Sequence, residues 1–221
     1  MRLALNNLSY HSENTTWIHP VSLTLDAGQV VVIKGRTGSG KSLLFSLLCG
    51  LVDQGKDKVY WDRLNWREMD RAQSLSIRRR MGVVFQSPCL LANLSLYDNL
   101  KLVLDFHRVQ TEEQTDFIRH FCRQFELQDY LALRPEELSA GQLSLAALAR
   151  ALILQPEVLL WDTPLATLDL EWGALILDIL DSLRTDGVSL VLCSNRSVLV
   201  ERLNARVWQL EAGHLSEIYG H

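Results

Sequence analysis

The sequence predicts an α/β fold with a mixed, largely parallel sheet, an antiparallel β part at the N-terminus and a helical subdomain inserted in the middle. Three observations predict it. Short apolar runs alternate with turn signals over residues 1–34; a glycine-rich turn joins a strand pattern to a helical one; and strand and helix patterns alternate again after Pro156.

The elements follow in order. Leu3 to Leu8, Val21 to Leu25 and Val30 to Ile33 read as strands, separated by the polar loop His11 to Thr16 and the turn Asp26-Ala27-Gly28. Leu43, Leu44, Leu47 and Leu48 have helical spacing, and Gly50 stands where a helix C-cap belongs. Lys58 to Trp61 is a further strand, followed by a polar stretch and by Met81 to Phe85, which ends at Gln86-Ser87-Pro88. From there to about residue 155 the pattern is mostly helical. Val158 to Trp161, a helix from about Glu171 to Arg184, Ser189 to Cys193 and Arg206 to Leu210 complete the alternation.

Composition excludes several classes. Charged residues are 22% and apolar ones 48% of the 221, an ordinary globular balance. The longest apolar runs fall short of the roughly 18–20 residues of a spanning helix, and the N-terminus turns polar too early for a signal peptide. The chain is expected in the cytoplasm. The net charge of −4 does not suggest a nucleic-acid binder, and the one compact basic run, Arg78-Arg79-Arg80, reads as a solvated face. Cys49, Cys89, Cys122 and Cys193 have no CxxC pairing and mostly apolar neighbours, so they are expected to be buried thiols.

Gly35-Arg36-Thr37-Gly38-Ser39-Gly40-Lys41-Ser42 fits the phosphate-loop pattern G-x-x-x-x-G-K-[ST], with a strand before it and the helical pattern of Lys41 to Cys49 after it, and Leu43 joins these residues as a nucleotide-site candidate. The glycines let backbone N–H groups and the helix N-terminus face phosphate oxygens. Lys41 is placed for the β- and γ-phosphates and Ser42 for Mg²⁺. A nucleotide and Mg²⁺ are therefore the expected ligands, on a P-loop NTPase core, but the loop alone fits kinases, GTPases and many other ATPases; the ABC resemblance that follows makes the nucleotide ATP.

Leu138-Ser139-Ala140-Gly141-Gln142 resembles the signature motif of the ABC family, and Gln86, Val158 to Asp162 and Leu168-Asp169 stand where that family has its Q-loop, Walker B strand and D-loop. The resemblance covers essentially the whole chain. It implies one nucleotide-binding domain over residues 1–221, with 1–88 and 156–221 as core and 89–155 as the helical subdomain after the Q-loop. Ser139 is a good N-cap for the helix that follows, whose N-terminus offers an anion site. In the family that site, with Asp169 nearby, serves the nucleotide of the opposite subunit, which implies a second ABC nucleotide-binding subunit as partner. Asp162 and Gln86 would join Ser42 at the metal. Tyr10 resembles the aromatic that stacks on adenine, with Trp17 as a rival. The arginines before Met81 and the Leu90-Leu91 pair, which is expected to be exposed, flank the Q-loop, where family members receive an integral membrane permease subunit at the cytoplasmic face of the membrane. The short chain and the run Tyr97-Asp98-Asn99-Leu100 look like the FtsE, LolD and MlaF type, which implies lipid or envelope transport. Soluble ABC proteins of DNA repair or translation usually carry long coiled-coil insertions or tandem domains, and neither pattern is present.

The chain departs from the family at two positions. Thr163 follows Asp162 where the family has the glutamate that polarises water, and Asn195 stands at the switch histidine. A hydroxyl has no proton affinity near neutral pH, and an amide donates hydrogen bonds but does not titrate. ATP binding with slow or absent turnover is expected at this site, whereas the motif Ser139 to Gln142 looks serviceable. A regulatory subunit that holds ATP without hydrolysing it is the alternative expectation.

Overall fold

The structure is a computed structural model that describes residues 1–55, 57–109, 114–164 and 170–218. Ten strands and seven α-helices follow one another as β1 (Leu3–Ser12), β2 (Thr15–Leu25), β3 (Val30–Lys34), α1 (Lys41–Leu48), β4 (Val59–Trp61), β5 (Leu64–Asn65), α2 (Arg71–Arg79), β6 (Met81–Val84), α3 (Leu96–Phe106), α4 (Gln114–Arg123), α5 (Ala140–Leu152), β7 (Val158–Asp162), α6 (Leu170–Thr185), β8 (Ser189–Cys193), α7 (Ser197–Leu203), β9 (Arg206–Glu211) and β10 (His214–Ile218), among the described residues.

The larger sheet has the order β10-β9-β3-β8-β7-β6, with β3, β6, β7, β8 and β9 parallel and β10 antiparallel at the edge. A smaller antiparallel sheet runs β2-β1-β4-β5. Every residue of β7 and β8 is buried, as expected for parallel strands covered on both faces, which therefore read as unbroken apolar runs.

The period of two along each strand divides the core. Val30 and Val32 of β3, Leu159 and Trp161 of β7, and Leu190 and Leu192 of β8 face a cluster built with α3 to α7. Val31, Ile33, Val158, Leu160, Val191 and Cys193 face the other way, against α1, α2 and the antiparallel sheet. The phosphate-loop helix is anchored on that side: the indole N–H groups of Trp61 and Trp66 both donate to the Leu48 carbonyl at 3.0 Å, at the end of α1.

Four expectations need correction. The polar stretch before Met81 contains α2, opened by a capping box between Asp70 and Gln73. The arginine run is not simply a solvated face: the Arg78 guanidinium lies over the Trp66 ring at 4.9 Å, and Arg80 binds Glu157 through both carboxylate oxygens at 2.7 and 2.8 Å and Asp62 at 2.9 Å. Cys89 is exposed, whereas Cys49, Cys122 and Cys193 are buried. Leu90 packs partly against the core, so only Leu91 of that pair is exposed.

Candidate functional site

The C-terminal ends of β3, β7 and β8 lie side by side, with Ile33 opposite Cys193 and Asp162 opposite Cys193 on its other flank. Ligands in open parallel sheets bind outside this edge. A cleft of about 680 Å³ opens there, lined by Tyr10, Lys41, Ser42, Gln86, Thr163 and Asn195, and also by Trp17, Thr37, Gly38, Gly40, Leu43 and the neighbouring residues Pro164, Ser194 and Arg196. Residues separated by most of the chain are thus brought to one wall.

The phosphate loop turns through residues in the left-handed region, Gly38 at φ 80° and Gly40 at φ 97°, and Gly40 is the N-cap of α1. A side chain is strained at such angles, so the glycines are a backbone requirement. Without a side-chain cap, the first N–H groups of α1 point out of the helix as an anion site. The Lys41 ammonium donates to the Gly35 carbonyl at 2.6 Å and to the Arg36 carbonyl at 2.9 Å, which holds the loop closed around its own cation. Arg36, Thr37, Gly38 and Ser39 also line a recess of about 270 Å³ behind the loop, against residues 209–212. The Ser39 hydroxyl oxygen is buried there with no partner among the described residues.

Asp162 ends β7 at 4% exposure. Its Oδ1 accepts the Thr163 hydroxyl at 3.0 Å. Thr163 has φ 64°, the left-handed region that a β-branched residue rarely adopts, and its N–H donates to the Cys193 carbonyl at 3.0 Å. The hydroxyl is therefore engaged as a donor to Asp162. Asn195 makes two bonds to one residue: Oδ1 accepts the Gly35 N–H at 2.9 Å and Nδ2 donates to the Gly35 carbonyl at 2.8 Å.

Tyr10 and Trp17 both reach the cleft, from β1 and β2. A register shift between Leu8 and Tyr10 turns the strand so that Leu8 is buried and Tyr10 half-buried at the cleft wall. Trp17 is 44% exposed. Burial pushes the Cys193 thiol well above its ordinary value and the Cys49 thiol up to about 12, so neither supplies a thiolate nucleophile near the cleft. The Ser42 hydroxyl, the Gln86 amide and the Asp162 carboxylate offer hard oxygen donors, the chemistry that Mg²⁺ takes together with phosphate and water.

The motif Ser139 to Gln142 lies elsewhere and lines none of this cleft. Ser139 caps α5 in a reciprocal box: the Gln142 N–H donates to Ser139 Oγ at 3.3 Å, and the Ser139 N–H donates to Gln142 Oε1 at 2.9 Å. Ser139 and Ala140 are exposed, whereas Gly141 is buried where an added Cβ would enter the Trp172 ring. Asp169 lies outside the described residues.

The supporting roles of two residues went unread in the sequence. Asn99, 1% exposed, gathers the loop after Pro88: its Nδ2 donates to the carbonyls of Leu91, Leu94 and Ser95, and its Oδ1 accepts the Leu91 N–H at 2.8 Å. Arg150 donates to the Cys89 carbonyl at 2.8 Å and the Pro88 carbonyl at 3.2 Å, tying the segment after Gln86 to α5. A polar residue on the buried face of α3 and a lone cation in the apolar run of α5 were the available signals.

Comparison with known proteins agrees with this geometry. The family model for ABC transporters matches residues 18–166. The nickel import ATP-binding protein NikE of Shigella flexneri is 32% identical over 90% of this chain and 76% of its own length. The glutamine transport ATP-binding protein GlnQ of Escherichia coli K12 is 29% identical over 97% of this chain and 90% of its own. A dimeric structure of the ATP-binding cassette MJ0796, in a post-hydrolysis state with ADP and Pi, superposes with a TM-score of 0.86 at 27% identity, covering 99% of this chain and all of that one. With phosphate loop, inserted helical layer and these matches together, the chain belongs to the ABC transporter family, as one of its nucleotide-binding domains.

Proposed function

We propose that residues 1–221 form one nucleotide-binding domain that holds Mg²⁺ and ATP at its own phosphate loop with little or no turnover, and that drives or regulates a membrane permease subunit. One observation carries the reading: the phosphate loop, Gln86, Thr163 and Asn195 converge on one cleft, and neither Thr163 nor Asn195 offers a group that accepts a proton from water.

In this reading the N–H groups of residues 36–42 and the Lys41 ammonium hold the phosphates, and Tyr10, with Trp17 beside it, receives the base. Ser42, Gln86 and Asp162 hold Mg²⁺, which supplies neutralisation of charge on the β- and γ-phosphate oxygens when bound. Thr163 donates its hydroxyl to Asp162 and leaves an attacking water without a base. The exposed Ser139 and Ala140, with Gly141 and Gln142, serve the nucleotide of a second ABC subunit, the role also assigned to Asp169, which lies outside the described residues. In a heterodimer one competent site and one holding site result. In a homodimer both sites are slow, and ATP acts as a clamp.

The permease docks near Gln86, where Leu91 is exposed and Asn99 and Arg150 fix the segment, at the cytoplasmic face of the membrane. No helix among the described residues is long and apolar enough to cross a membrane, which fits attachment through a separate subunit. The named relatives serve nickel and glutamine transport, so a small-solute cargo has more support than the lipid or envelope cargo implied by the Tyr97 to Leu100 run.

Equilibrium binding of radiolabelled ATP to the purified chain, followed by chromatography of the bound nucleotide, tests the proposal. The expected result is Mg²⁺-dependent binding with ATP recovered intact over many minutes. Rapid multiple turnover by this chain alone, or no binding, would overturn it.

A further inference from the structure

We infer that Asn195 is a positioning residue for the phosphate loop and supports a bound nucleoside diphosphate and triphosphate equally, an inference that rests on the nucleotide reading of the cleft. The geometry is that of a ladder extended by a side chain. β3 and β8 are parallel neighbours whose last pair is Ile33 opposite Cys193, and the Ser194 N–H donates to the Ile33 carbonyl at 3.0 Å. Beyond that point the strands end, yet Gly35 is buried and needs partners for its N–H and its carbonyl. The Asn195 amide presents an acceptor and a donor side by side, as a backbone does, and takes both at 2.9 and 2.8 Å.

This pairing fixes the orientation of the amide, because the reversed one would set N–H against N–H and oxygen against oxygen. The Gly35 carbonyl receives a second donor, the Lys41 ammonium at 2.6 Å, so both of its lone pairs are used. β9 approaches Gly35 closely on its other side: an added Cβ would stand 2.6 Å from the Leu210 carbonyl oxygen. The first residue of the loop is thereby held by Asn195 and by the cation that meets the phosphates. Asn195 acts on the loop's backbone and Lys41, which serve the β-phosphate as much as the γ-phosphate. A histidine does not replace it, because the two ring nitrogens point away from each other and keep at most one of the two bonds.

The test is isothermal titration of the full chain with Mg·ADP and with Mg·AMP-PNP, for the parent protein, Asn195→Ala and Asn195→His, with hydrogen exchange of residues 30–40 in the nucleotide-free proteins. Losing two hydrogen bonds in Asn195→Ala is expected to weaken both ligands by about tenfold and leave their ratio unchanged. Asn195→His is expected to weaken Mg·ADP several-fold, and exchange is expected to rise at residues 30–40 in either variant while the strand β7 keeps its protection. Loss of Mg·AMP-PNP binding alone would mean that the second amide N–H works on a γ-phosphate, and the inference would fall. Unchanged affinity and exchange would also overturn it. If no protein binds either ligand while exchange still rises in the variants, the clasp stands and the nucleotide reading fails.

Discussion

Replacing Thr163 by glutamate should turn a holding site into a slow but real ATPase. The structure sets the cost of the change. Thr163 occupies φ 64°, where a branched Cβ stores about 1–3 kcal/mol, and glutamate, unbranched at Cβ, relieves part of this. The exchange removes the 3.0 Å bond from the hydroxyl to Asp162, worth about 1 kcal/mol. These terms nearly cancel, so the fold should tolerate Thr163→Glu within about 1 kcal/mol. A carboxylate positioned as general base typically contributes 10² to 10⁴ in rate, which is roughly 3–5 kcal/mol off the barrier. Asn195 should be left in place, because its clasp on Gly35 supports binding. The assay is phosphate release with saturating Mg·ATP, with bound nucleotide measured in parallel. A rise of at least about a hundredfold over the parent is expected. A folded Thr163→Glu protein that binds ATP and releases no more phosphate than the parent would refute the assignment of Thr163 to the base position.

Three further outcomes follow from particular contacts. Gly141→Ala should destabilise the chain by about 1–3 kcal/mol in urea unfolding, because the new methyl group enters the Trp172 ring between α5 and α6. Tyr10→Ala should weaken fluorescent ATP binding by roughly 3- to 10-fold through lost stacking, and a larger effect from Trp17→Ala would give the stacking role to Trp17. The bidentate Arg80 guanidinium, with help from the N-terminal ammonium, lowers the Glu157 carboxyl to about 2 from its ordinary 4.5. Since the folded value is depressed, its stabilisation is complete above 4.5 and is lost as pH falls from 4.5 towards 2. With the side chain 47% exposed, solvent screening limits this to about 1 kcal/mol, and Glu157→Gln should flatten that part of the Tm against pH curve.

Local patterns made most of the fold legible. The strand, glycine turn and helix around Lys41, the unbroken apolar runs of β7 and β8, and the Ser139 cap all announce themselves in contiguous stretches of sequence. α2 did not, because only Ile77 of its residues is buried and no apolar face marks its period; the Asp70-x-x-Gln73 capping box was the readable signal. Contacts far apart in sequence were invisible. Arg80 is a basic residue in a basic run until Glu157, on a neighbouring strand's approach, turns it into an anchor. Leu90 reads as half of an exposed pair, but its partner surface is the helical layer. Cys89 follows Pro88 into a left-handed turn at φ 53°, which places it outside the core.

The candidate site divides in the same way. Its phosphate loop is a contiguous motif, and the departures at Thr163 and Asn195 are visible as the wrong residue types in known places. What those residues do instead depends on geometry: the Thr163 hydroxyl engages Asp162, and Asn195 reaches a glycine 160 positions earlier in the chain. Function at such a site is therefore read from where each donor goes once the strands are side by side.

The most direct measurement of the central claim is native mass spectrometry of the complex extracted from membranes through a tag on this chain, with bound nucleotide released and identified. The expected result is a permease subunit, a second ABC subunit and ATP retained intact with this chain. A tagged chain that is recovered without any membrane subunit would contradict it.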